Sequence, residues 1–125
     1  MSTSLHDFPS AVTVAAGLSP ATLTGNATGP AVDLADADGP CFAVQLVGAL
    51  TDTTLTGRIE QSATGASGWT AISGAEFTPE TDAEKVQVIR FTPTARYVRW
   101  AADVTDEGDP SVAVAVVIGQ QKKSI

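Results

Sequence analysis

The chain contains one cysteine, Cys41, and one histidine, His6. A lone cysteine excludes an internal disulfide and fits a reducing compartment, or a protein indifferent to redox state. A nucleophilic site needs Ser or Cys beside His and an orienting acid, and His6 lies in a polar N-terminal stretch, so no catalytic set is expected. Neither a metal nor an organic cofactor is expected. Lys and Arg are absent before Arg58, whereas Asp7, Asp33, Asp36, Asp38 and Asp52 all precede it. With a net charge of −7, a nucleic-acid surface would work against the field of the whole molecule, which excludes DNA and RNA as expected partners. No window approaches the roughly 18 apolar residues that a membrane-spanning helix requires, so no membrane role is expected. MSTSLHDFPS has no Lys or Arg ahead of the first apolar run and carries Asp7, which predicts synthesis in the cytoplasm without a secretory signal.

What the chain does have is small apolar residues, Thr, Gly and Pro, the composition of short strands joined by turns. Its 125 residues fit one domain. The expected layout is an N-terminal arm over 1–10, a β-sandwich over 11–119 and a polar tail over 120–125. Tyr97 to Val104 alternates with period 2, placing Val98, Trp100, Ala102 and Val104 on one face and Tyr97, Arg99, Ala101 and Asp103 on the other. Trp100 is therefore the expected core anchor. Ala11 to Ala16 reads as a strand, and LSPATLTG after it as a second short one. ADADGP at 35–40 reads as a turn, and Phe42 to Leu50, apolar on both faces, as a central strand whose hairpin partner is Leu55 to Gln61. Trp69 to Ile72 is expected to place Trp69 over the core opposite Trp100. Thr78-Pro79, followed by Glu80, Asp82 and Glu84, suits one helical turn. Val86 to Phe91 returns to strand, and Ser111 to Ile118 is a last strand buried or paired on both sides. About eight strands at this spacing predict an all-β, antiparallel two-sheet β-sandwich, jelly-roll-like, with an N-terminal arm.

Two groups of residues are candidates for function. Acids clustered on turns, Asp33, Asp36 and Asp38, or Asp103, Asp106, Glu107 and Asp109, are able to do acid–base work or hold calcium. Aligning Asp36, Asp38 and Gly39 with a helix–loop–helix calcium loop would, however, put Leu34 and Gln45 where acids are required. Arg58, Tyr97 and Arg99 form the second group. They make either an exposed aromatic and arginine patch of the kind enriched at protein interfaces, or a set whose arginines pair with Glu60 or Asp103 across strands.

The order of LHDFP, VDLADADG, FAVQLVGALTD, RIEQSATGASGW, ARYVRWAADV and VAVAVVIG resembles a family of small structural proteins from tailed-phage virions. Glu60, Ser62 and Trp69, with the Arg96 to Arg99 strand, match patterns typical of that family, and the likeness covers most of the chain. It implies a non-enzymatic capsid cement or decoration protein, made in the host cytoplasm and carried on the capsid surface. Its partners would be the major capsid protein and other copies of itself, as a homo-oligomer. Leu5 and Phe8 would anchor the arm, with Arg58, Tyr97 and Arg99 as further partner-binding residues. The alternatives are a neck or tail component, or a discoidin-like carbohydrate-binding sandwich that stacks a sugar on Trp69 or Tyr97.

Overall fold

A computed structural model describes residues 12–35 and 37–122. The expected arm with Leu5, His6 and Phe8 lies outside the described residues. The elements are all strands: β1 (Val12–Leu23), β2 (Ala27–Thr28), β3 (Val32–Asp33), β4 (Ala37–Thr51), β5 (Leu55–Ser62), β6 (Thr70–Glu76), β7 (Lys85–Phe91), β8 (Tyr97–Val104) and β9 (Ser111–Lys122). They form two antiparallel sheets. One is four-stranded with order β1-β9-β4-β7, and the other runs β2-β8-β5-β6 with β3 also on β8. The protein is thus the expected β-sandwich, with nine strands among the described residues.

Several local expectations are corrected. Ala11 to Gly25 is not two strands: β1 is continuous and absorbs Gly17 and Pro20 through register shifts at Ala16/Leu18 and Leu18/Ala21, which a long strand at a sheet edge tolerates. β4 begins inside the expected turn, at Ala37, with Gly39 at φ 81° beside a register shift. β5 is not the hairpin partner of β4. Each strand has one face to bury, and the short link containing Asp52 at φ 52° carries the chain across the sandwich, so that β4 pairs with β7 and β9 while β5 pairs with β6 and β8. No helical turn forms at 78–84. Glu80 instead exchanges backbone hydrogen bonds with Leu55, and the Gln87 amide holds Thr78 at both its N–H and C=O. β9 carries its ladder past Gly119 as far as Lys122, into the expected tail.

The inner faces meet where the alternation puts them. Leu55, Ile59, Val98 and Trp100 from one sheet pack against Ala43, Val112, Val116 and Ile118 from the other, all at most 1 % exposed. A polar link crosses this layer: the Trp100 indole Nε1 donates to Gln45 Oε1 at 3.0 Å, both side chains being fully buried. Gly57 on β5 makes room for it, since a Cβ there would overlap both the Gln45 oxygen and the Trp100 nitrogen. Gln45 Nε2 is buried without a partner among the described residues.

The cross-sheet bond generates a double-mutant prediction. Gln45→Leu strands the indole N–H and costs about 1–3 kcal/mol, and Trp100→Phe strands the Gln45 amide and opens space, costing at least as much. The pair Gln45→Leu/Trp100→Phe should cost less than the sum by about 1–2 kcal/mol in urea unfolding. Strict additivity would show that the bond contributes no coupling.

Candidate functional site

The two sheets present opposite chemistry to solvent. On the five-stranded sheet, Arg58 and Glu60 are two apart on β5 and share a face, and the register sets Arg99 of β8 directly opposite Glu60. The arginines converge on that carboxylate: Arg99 Nε donates to Glu60 Oε1 at 2.8 Å and Arg58 Nε to Glu60 Oε2 at 3.0 Å. Arg58 Nη1 also reaches Asp103 at 3.5 Å. Burial pushes the Glu60 carboxyl up, but the hydrogen bonds and charges of Arg99 and Arg58 outweigh this and hold it below its ordinary range. Trp69 is not over the core. It lies half-buried on this outer face, with the Arg99 guanidinium 4.5 Å from its ring centroid, because the glycine-flanked loop before β6 ends outside the sandwich.

Tyr97, also half-buried, packs its ring on the backbone at Gly65, where an added Cβ would lie 2.9 Å from the ring, and the Arg96 guanidinium sits 5.3 Å from its centroid. That loop is organised by Ser62, whose hydroxyl accepts from the N–H groups of Thr64 and Gly65. Arg96 is joined to Asp33 by a two-point ion pair, 2.9 Å on each arm. This pairing lowers the Asp33 carboxyl from its ordinary value. Of the two sequence readings for Arg58, Tyr97 and Arg99, the cross-strand pairing describes the geometry. The three residues do share one outer face, but the two arginines are directed at Glu60 and Asp103.

The acidic turns are likewise engaged with their own loops. Thr105 and Thr54 hydroxyls both donate to Glu107, Asp52 accepts from the Asp109 N–H, and Asp106 accepts from the Gly108 N–H. Among the described residues no group of three or more His, Cys, Asp or Glu side chains is placed to hold a metal ion. Burial raises the Cys41 thiol above its usual range, the opposite of an activated nucleophile.

The four-stranded sheet has no such polar cover. Its ladders align Phe42, Val44 and Leu46 of β4 with Arg90, Val88 and Val86 of β7 on one side and with Gly119, Val117 and Ala115 of β9 on the other. Val14 and Ala16 of β1 extend the rows beside Gly119 and Val117. The outcome is an apolar outer face across all four strands, on which Val86, Val88 and Val14 are 62 %, 61 % and 60 % exposed and Leu46 is 40 % exposed. Shallow apolar hollows run along it between β1, β9 and β4, lined by Val14, Pro20, Leu46, Ala115 and Val117. The signal for this face lies in FAVQLVGAL, where both alternating positions are largely apolar, a pattern that equally describes a strand covered on both faces, and in Val86 and Val88 of KVQVIRF. No protein-family model matches the chain, and no curated protein matches it.

The Glu60 pairing sets a pH dependence. A carboxyl lowered on folding contributes stability above its unfolded pKa, and that contribution is lost as pH falls through the folded value. The thermal midpoint should therefore fall as the pH drops below about 4.5, the ordinary carboxylate value, and Glu60→Gln should flatten that fall while lowering the neutral-pH midpoint. Identical acid profiles for the two proteins would exclude Glu60 as a source of acid sensitivity.

Proposed function

We propose that this chain is a non-enzymatic virion structural protein, a capsid cement or decoration protein of a tailed phage that binds the major capsid protein lattice and stabilises the head. The observation that carries this reading is the apolar outer face of the four-stranded sheet. Contiguous exposed apolar surface is uncommon on monomeric soluble proteins and marks places where another surface is to be covered. On the opposite face Arg58 and Arg99 are meanwhile paired with Glu60, and Arg96 with Asp33. A neck or tail component would use the same apolar face. The sugar-binding alternative needs an open aromatic ring, whereas Trp69 carries Arg99 and Tyr97 packs on Gly65.

Under this reading the apolar face is laid on the shell, and residues 1–10, with Leu5 and Phe8 as anchors, reach a neighbouring subunit. Co-sedimentation with purified capsids tests both parts. Val14→Asp and Leu46→Asp lie on the outer face, where folding stability should fall by about 1 kcal/mol, yet each should weaken capsid retention by at least about tenfold. Deleting residues 1–10 should weaken it as well. Undiminished retention of all three variants would end the proposal.

A further inference from the structure

We infer that β7 is a pairing edge for a second copy of this chain, forming an antiparallel β7–β7 contact about a two-fold axis through Gln87. A sandwich has exposed sheet edges, and native proteins blunt them with bulges, short strands, proline or cover. Here the other edges are blunted. β1 contains two register shifts and Pro20, β6 sits across a register shift from β5 and carries Gly74 at φ 81°, and β2 and β3 are two residues each. β7 alone is regular: its seven residues run in unbroken register from Lys85 opposite Val47 to Phe91 opposite Cys41. Beyond its ladder with β4, no backbone group of β7 is bonded to the backbone of another element among the described residues.

The register follows from sidedness and from where the exposed valines lie. A two-fold perpendicular to the sheet keeps both outer faces on one side and sets like-facing residues opposite each other, so the axis must pass through a residue. With the axis at Val88, the exposed Val86 would face the Arg90 cation of the mate on the outer side. With the axis at Gln87, Val86 of each copy faces Val88 of its mate on that side, and Lys85 faces Ile89. The second register therefore matches the two most exposed valines twice by symmetry. Gln87 suits the axis because its side chain is turned inward onto Thr78 and does not obstruct the approach. The product is a doubled four-stranded sheet whose two apolar faces are continuous.

This goes beyond the capsid reading and is tested without capsids. A seven-residue edge contact is small, so sedimentation equilibrium of the full chain at about 0.15 M salt, where the repulsion of the net −7 charges is screened, should give a dimer with a Kd on the order of 10–100 μM. Val86→Lys sets a cation against Val88 of the mate, Val88→Glu sets an acid against Val86, and each alone should weaken dimerisation at least about tenfold. An equimolar mixture of the two variants sets lysine against glutamate at one end and valine against valine at the other and should dimerise like the wild type, as should Val86→Lys/Val88→Glu. Thermal melts of each variant confirm folding. A wild-type monomer up to about 1 mM, single variants that dimerise undiminished, or a mixture no tighter than its components would overturn the inference. A dimer that fails to bind capsids would instead sink the capsid reading and leave this one standing.

Discussion

The hydrogen bond from Trp100 to Gln45 is the constraint around which the two sheets are set. It is a fully buried polar contact between apolar inner faces, where an unpaired indole or amide would be costly. Apolar contact is non-directional and tolerates sliding, whereas a buried donor and acceptor do not. Gly57 is the backbone consequence of that demand, because the strand beside Trp100 must give up its side chain for the amide to reach the indole. The unpartnered Gln45 Nε2 indicates that the link is kept for position as much as for energy.

Fixing the sheets this way leaves two outer faces with different fates. On the β5–β8 face, cross-strand register brings Glu60 between two arginines, and the network closes on itself with Trp69 as its lid. On the β4–β7 face the same register aligns valine with valine, leucine with valine and phenylalanine with glycine, and nothing in the chain's described residues closes over it. The Phe42 ring lies over Gly119 and so half-buries itself, but Val86 and Val88 find no such shelter. The molecule has a finished side and an unfinished one.

Period-2 alternation made most of the fold legible: the burial of Val98, Trp100, Ala102 and Val104, the outward turn of Tyr97 and Arg99, and the central place of β4 and β9 follow from side-chain sequence alone. Strand partnership was not legible in the same way. A short polar link after an apolar strand signals a hairpin equally well when it crosses to the other sheet, and only the competition of β4 for β9 and β7 decides between them. The surface position of Trp69 is not legible, because a large ring favours burial while a guanidinium offers an indole a satisfactory place at the surface. The apolar outer face was half legible. Strands apolar on both sides were visible in FAVQLVGAL, but whether the second side meets core or solvent depends on whether another layer exists.

That ambiguity is also the physical reason for reading the face as functional. In β4 and β9 the odd and even positions serve separate ends: Gln45, Val112 and Val116 hold the sandwich together, while Val44, Leu46 and Val117 look outward. Stability therefore constrains one alternation and leaves the other free to become polar. On β5 and β8 that freedom is taken, with Arg58, Glu60 and Arg99 at the outward positions. At Val44 and Leu46 of β4 and at Val86 and Val88 of β7 it is not taken, and only Arg90 at the end of the β7 row is polar, although folding does not require valine at a site 60 % exposed or more. Apolar side chains retained where the fold gives them no role need another surface to account for them, and the contrast between sheets sharing one core is what makes that argument stronger than exposure alone.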